Sequence, residues 1–244
     1  MITIAAGPLP ADAVAGHEKL YSESQTLGPG DRPRLIDEGG VGFGHLTVYP
    51  LALDDLPALT RRRPDINGLA FDIVEFPFDL DPLPGSRRYV QADYVVTLDT
   101  PGVIARSLWP DTVSTPIDVE RSRTFSVDVD LTFVGVPGAP GVETGRVFRY
   151  QELQPVITTR GRGTGCFGWT FLAATGQPLL STSRTVFAVI ERPKTTATLT
   201  GSLFVTAHVR GRTLPSVGPR LARTRIRPFR LNTTDGSFVL DAAA

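Results

Sequence analysis

The sequence has one cysteine, three histidines and only two lysines among its 244 residues. A single cysteine, Cys166, excludes a disulfide within the chain and leaves no cysteine pair for a zinc site. The histidines lack the His-Glu-x-x-His spacing of zinc proteases, and there is no Gly-x-Ser-x-Gly motif or Walker lysine. We therefore expect no metal, no cofactor and no catalytic residue. Whether the protein is an enzyme stays open, with the missing motifs favouring a non-catalytic protein.

Long apolar runs are also missing. No window approaches the roughly 18 apolar residues of a membrane-spanning helix, and the first residues carry neither the basic region nor the apolar run of a signal peptide. The bias toward arginine over lysine is typical of a GC-rich bacterial genome. These features predict a bacterial, cytoplasmic protein without a membrane span.

What the sequence does contain is alternation of apolar and polar residues at period two, which is typical of half-buried strands. The clearest segments are 89–98 and 124–133, and the same habit is found in 41–51, 68–78, 146–158, 165–173, 183–191 and 196–209. Turn sequences rich in proline and glycine separate them. We predict an all-β fold, an antiparallel β-sandwich with a barrel-like arrangement as a variant.

Few segments favour helix. Residues 10–23 can form one helix with Asp12 in its first turn, so we predict a short N-terminal helix there. With 41% hydrophobic residues the chain can bury a substantial core. We expect a single domain over residues 1–244, with a candidate sub-boundary at the Pro/Gly-rich stretch 136–145.

Two segments place glycine at every second position: Gly40, Gly42 and Gly44, then Gly161, Gly163 and Gly165. In a strand, such spacing leaves one face without side chains. One interpretation is a ligand face with Arg162 and Trp169 at its rim, and His45 and Asp93 nearby. The other is a tight corner of a sheet, or an aromatic ring packed against bare backbone.

Charge is unevenly distributed along the chain. Residues 192–234 contain eight arginines, one lysine and no acidic residue, whereas residues 1–191 carry an excess of acids. Within this stretch, residues 211–228 include three prolines and predict an extended basic segment. The candidate partner-binding residues are Arg210, Arg212, Arg220, Arg223, Arg225, Arg227 and Arg230.

These patterns lead to one main hypothesis and two alternatives. The main one is a non-catalytic intracellular adaptor or assembly protein that uses its arginine-rich segment for contacts with a protein partner or with itself. The first alternative is a barrel that binds a small molecule, or acts as an enzyme, at the glycine faces. The second is a binder of nucleic acid or another polyanion, whose affinity would fall steeply with salt.

Overall fold

A computed structural model describes residues 9, 11–23, 35–56, 58–111, 156–173, 179, 183–211 and 219–242. These residues form thirteen strands. They are β1 (Val14–Glu23), β2 (Leu35–Gly44), β3 (Thr47–Leu51), β4 (Leu69–Leu80), β5 (Arg88–Leu98), β6 (Ile104–Trp109), β7 (Val156–Arg160), β8 (Cys166–Leu172), β9 (Ser183–Pro193), β10 (Thr198–Arg210), β11 (Arg220–Arg223), β12 (Arg227–Asn232) and β13 (Phe238–Leu240).

All the strand pairs are antiparallel, in the order β6-β9-β4-β2-β1-β11-β10-β5-β8-β7. Three strands lie off this path: β12 pairs with β10 and β13, and β3 pairs with β4. The two ends of the path then meet, because the Ala105 amide donates to the Thr164 carbonyl (3.0 Å) and the Gly163 amide to the Ala105 carbonyl (2.7 Å). The sheet is therefore a nearly closed barrel or sandwich.

Aromatic side chains fill the interior of this barrel. Phe78 stacks on Tyr94 with ring centroids 4.6 Å apart, and Trp169 lies 6.0 Å from Phe76. Burial of each such side chain contributes on the order of 2 kcal/mol. The period-two pattern explains how they get there. Along β10, positions 199, 201, 203, 205, 207 and 209 are buried, and the positions between them face outward.

A smaller apolar cluster lies on the opposite face of β4 and β9. Phe71, Ile73, Phe187 and Val189 point away from the barrel interior and pack with Leu56 and Ile66. Residues 52–68 supply that cover through two short 3-10 turns and one short helix, α1 (Ala58–Arg61). No helix in the described ranges is long and apolar enough to cross a membrane.

The predicted all-β antiparallel fold is confirmed, but the predicted N-terminal helix is wrong. Only a 3-10 turn, Ala11–Ala13, precedes the ten-residue strand β1. Its inward positions include Glu18 and Ser22, so the strand shows no apolar alternation. Both side chains find polar partners inside the fold: Ser22 donates to Glu38 at 2.8 Å, and Glu18 accepts from Arg227.

The described part of the C-terminal basic segment is extended and belongs to the sheet. Strand β11 lies between β1 and β10, and β12 continues along the same edge of β10. Other predictions fall outside the described residues: the strand at 124–133, the break at 136–145 and the first part of 146–158. The single-domain assignment stays a prediction.

Candidate functional site

The seam that closes the barrel also brings together the described residues on either side of the segment 112–155. Asp111, just after β6, accepts hydrogen bonds from Thr159 of β7 at 3.0 Å and from Arg162 at 2.6 Å. Arg162 and Asp111 are oppositely charged and about half-exposed. Asp111 and Thr159, which flank residues 112–155 in the sequence, therefore lie side by side at the seam. Sequence reasoning missed this seam because nothing local links position 111 to 159.

The second glycine run is a turn and not a strand. Gly161 and Gly163 have φ angles of +81° and +80°, a conformation that L side chains rarely adopt. The run connects β7 to β8 as a tight hairpin, and its last member, Gly165, accepts a hydrogen bond from the Leu98 amide at 2.7 Å. The glycines here allow the turn that closes the seam, so the interpretation as a tight corner fits them.

The first glycine run does lie in a strand, β2, where Gly40, Gly42 and Gly44 are buried. Gly44 leaves room for the ring of Pro77 on β4, since a Cβ at Gly44 would come within 2.7 Å of that ring. Gly40 lies beneath the exposed pair His17 and Asp81, whose Nε2 and Oδ2 atoms are 2.8 Å apart. These neighbours differ from those of the second run, and the two runs do not share one site.

The other residues of the predicted ligand face are also dispersed. Trp169 is 1% exposed and belongs to the aromatic core. Neither its Nε1 nor the Tyr94 hydroxyl has a hydrogen-bond partner among the described residues, and burial raises the pKa of Tyr94 far above its usual value.

Asp93 accepts from Gln91 at 2.9 Å and from Thr170. His45 lies edge-on to Phe238. The ligand-face residues therefore remain an untested prediction, now without a common geometry.

Some arginines of the acid-free stretch 192–234 are bound within the fold. The pairs are Arg192 with Asp72 at 2.6 Å, Arg220 with Glu38 at 3.4 Å, Arg227 with Glu18, and Arg230 with Asp241 at 3.2 Å. Asp72 and Glu38 are each 1% exposed. A buried carboxylate without a partner would be costly, so Arg192 and Arg220 stabilise the fold.

Other arginines of the same stretch have no such partner. Arg210, Arg223 and Arg225 are exposed, and none of them makes a hydrogen bond or ion pair within the part of the chain that the structure describes. Arg212 lies outside the described residues. The partner-binding prediction for the arginines is thus untested, and the structure divides its members into two chemically different groups.

Comparison with known proteins gives structural neighbours only. No protein-family model and no curated protein matches the sequence. Among solved structures, the chain is similar to delta-toxin of Clostridium perfringens, with 8% identity, a TM-score of 0.45, and coverage of 93% of this chain and 94% of that one. It is also similar to the C. perfringens NetB toxin in its membrane-inserted form, with 7% identity, a TM-score of 0.40, and coverage of 93% of this chain and 100% of that one. A third similar structure is described as a pore forming protein, with 6% identity, a TM-score of 0.41, and coverage of 91% of this chain and 100% of that one. At these values the likeness concerns the fold alone.

Two predictions from the sequence are corrected at this point. The chain was expected to be an intracellular adaptor and to be cytoplasmic. The solved structures to which the chain is similar are described as toxins and as a pore forming protein, one of them in a membrane-inserted form. Both predictions are therefore wrong and are withdrawn, together with the two alternatives attached to the first.

Proposed function

We propose that this protein acts on membranes, and that several copies insert residues 112–155 into a bilayer as a ring of β-hairpins. The observation that carries the proposal is the seam. Asp111 and Thr159, which flank this insert, are joined by a side-chain hydrogen bond of 3.0 Å. A segment whose ends meet on adjacent strands can extend from the barrel as a hairpin without disturbing the sheet.

The described barrel is a poor candidate for crossing the bilayer itself. Its interior is packed with aromatic rings, and the outward positions of β10 include Thr200, Ser202, Thr206 and His208. A strand that faces lipid requires an apolar outer band. The outer face of β10 is mostly polar, and the apolar outer face of β4 and β9 is covered by residues of the segment 52–68. The membrane-crossing strands of this proposal therefore come from another part of the chain.

The sequence of the insert has the pattern that the barrel lacks. In residues 124–133 every second residue is apolar, from Phe125 to Phe133, and the residues between them are Thr, Ser or Asp. A membrane-spanning strand takes about 9–11 residues with this alternation. The turn sequence Pro-Gly-Ala-Pro-Gly at 137–141 follows, and the sequence predicts a second strand at 146–158.

One hairpin cannot cross a bilayer alone. Its outer edges would leave backbone N–H and C=O groups without partners in hydrocarbon, at several kcal/mol for each group. Pairing with hairpins of neighbouring copies satisfies those edges and closes a ring. Self-association is therefore part of the proposed function, and the ring's polar inner face, which includes Asp128 and Asp130, would line a water-filled opening.

Adjacent positions on opposite faces of the predicted strand provide the test. Val129→Arg places a charge on the face toward lipid, at a cost of about 2–4 kcal/mol per copy near the bilayer centre. Asp130→Arg places the same residue on the face toward water. We expect wild-type protein and Asp130→Arg to release calcein from vesicles of phosphatidylcholine and phosphatidylserine in equal parts, and Val129→Arg to release almost none.

These two variants separate a failure to insert from a failure to fold, because each introduces one arginine and the two positions are adjacent in the sequence. Circular dichroism should show the same β-type spectrum for both. Equal calcein release by the two variants would contradict a period-two lipid-facing strand. Wild-type protein that releases no dye from these vesicles, and remains monomeric on them by light scattering, would overturn the proposed function.

A further inference from the structure

Large hydrophobic side chains are exposed at four places in the described residues, and three of them lie in residues 219–242. These are Leu221 at 54%, Ile226 at 58% and Val239 at 49% exposure. The fourth, Leu53, lies in the cover of the small apolar cluster. Exposed apolar groups that concentrate in one part of a protein mark an interaction surface more often than scattered ones do.

Leu221 and Ile226 lie beside a bulge that pushes side chains outward. Strands β11 and β12 run along the same edge of β10 but are separated by residues 224–226. The Thr224 amide donates to the Val205 carbonyl at 2.9 Å, and its hydroxyl accepts from the Val205 amide at 3.0 Å. This anchors the bulge by its buried residue. On the edge away from β10, β11 pairs with β1 whereas β12 pairs with β13. Arg225 and Ile226 lie between these two pairings, are exposed, and pair with no strand of the described residues.

The alternation of β11 places basic and apolar groups together. Ala222 and Thr224 are buried, so Leu221, Arg223 and Arg225 lie on the outer face. We define the bulge surface as Leu221, Arg223, Arg225 and Ile226. On the β1 side, Arg223 is opposite Tyr21, and the acid beyond it, Asp37, is already hydrogen-bonded to Lys19 at 2.7 Å. Along the sheet, Arg223 is opposite Thr206, and the acid beyond it, Asp93, is 8% exposed and already hydrogen-bonded.

We propose that the bulge surface docks the protein onto bilayers that contain anionic lipid. Arg223 and Arg225 would bind the phosphate and carboxylate groups of the headgroups, and Leu221 and Ile226 would enter the interfacial layer. Arginine mixed with aliphatic side chains is the composition of interfacial membrane contacts. Single-stranded nucleic acid would call for exposed aromatic rings for stacking, and the bulge surface has none. This inference rests on the proposed function for a membrane as the partner and names the lipid class it would select.

The test measures vesicle binding by co-sedimentation, without reference to pore formation. Vesicles are made of phosphatidylcholine alone, or of phosphatidylcholine with phosphatidylserine in equal parts. The double variant Arg223→Gln/Arg225→Gln removes both charges. Each basic residue near an anionic surface strengthens binding about fivefold, so we expect the double variant to bind the anionic vesicles roughly thirty-fold more weakly than wild type.

A control variant removes the same charge elsewhere. Arg62 and Arg88 are exposed and unpaired in the described structure, and Arg62→Gln/Arg88→Gln should lose far less affinity. Equal losses in the two double variants would show a response to net charge alone and would overturn the bulge surface. Wild-type protein that binds both kinds of vesicle equally would also overturn it.

Insertion of the apolar residues is measured separately. An environment-sensitive dye is attached at Ile226→Cys in a Cys166→Ser background, because Cys166 is exposed. Its emission should shift to shorter wavelength on anionic vesicles, and Leu221→Gln should reduce that shift. An unchanged emission in protein that sediments with the vesicles would contradict contact at the bulge.

Binding and permeabilisation fail independently in these assays. Binding to anionic vesicles without calcein release would support the bulge surface and contradict the proposed function. Calcein release at an unchanged dose by Arg223→Gln/Arg225→Gln would leave the proposed function standing and overturn the docking surface.

Discussion

The arginines of residues 192–234 fall into two groups that the sequence makes look alike. Arg192 is 11% exposed and lies against Asp72, which is 1% exposed. Arg223 and Arg225 are exposed on the bulge and have no ion pair among the described residues. Arg192 neutralises a carboxylate that the fold has buried, whereas Arg223 and Arg225 carry charge that no acid of the described residues neutralises.

The difference follows from strand alternation. Arg192 lies on β9 at an inward position, at the end of the barrel interior, where the opposing strand β4 presents Asp72. Arg223 lies at an outward position of β11, between two buried residues. A count of charges along the sequence therefore overstates the surface available to a partner, because every inward arginine is already committed to the fold.

The largest expected effect comes from breaking the buried pair. Arg192→Ala leaves Asp72 buried without its cation, and also removes the hydrogen bond from Arg192 to the Thr196 carbonyl at 2.6 Å. We expect the free energy of unfolding in urea to fall by about 3–5 kcal/mol. The matched control is Arg230→Ala, since Arg230 is 61% exposed in its pair with Asp241, and it should cost no more than about 1 kcal/mol. Similar losses for both would show that burial of the partner carboxylate does not decide how much a paired arginine stabilises the fold.

A smaller effect is expected from Glu191, the last acidic residue before the stretch. Burial acts to raise its pKa, but hydrogen bonds from Arg106 and Arg63 outweigh burial and hold the pKa below its usual value. A carboxylate with a lowered pKa stabilises the folded state above its ordinary pKa of 4.5, and that contribution disappears as the pH falls through the folded-state value.

The pH dependence can be measured with Glu191→Gln. Urea unfolding at neutral pH should show wild type to be more stable than the variant, with a difference that shrinks as the pH is lowered below about 4. Asp65→Asn serves as the control, because Asp65 also binds Arg63 but is exposed. A difference that stays constant across this range would show that Glu191 acts through packing and not through its charge.

Much of the barrel could be predicted from the sequence, because most strands bury one apolar face. The prediction for residues 183–191 corresponds to β9, and that for 196–209 corresponds to β10. Strand β1 could not be found this way. Its inward Glu18 is satisfied by Arg227, more than two hundred residues later, and no local pattern shows such a partner.

The glycine runs show the same limit at the candidate site. Because the two runs have the same spacing, the sequence predicts the same strand face without side chains for both. In the structure Gly44 makes room for Pro77 in a strand, whereas Gly161 adopts a positive φ in a turn. The spacing of glycines does not encode backbone conformation. The seam at Asp111 depends on contacts with Thr159 and Arg162, and only the closed sheet reveals them.

The smallest expected effect completes the comparison between the two groups of arginines. Arg223→Gln/Arg225→Gln removes two charges whose side chains bind nothing within the described fold, so the free energy of unfolding should change by no more than about 0.5 kcal/mol. Removing two neighbouring like charges also relieves repulsion, which favours a slight gain over a loss. Urea unfolding of this double variant and of Arg192→Ala under the same conditions measures the two changes in the free energy of unfolding. A loss of unfolding free energy as large as that of Arg192→Ala would mean that Arg223 and Arg225 stabilise the fold. That result would contradict their assignment to an external partner.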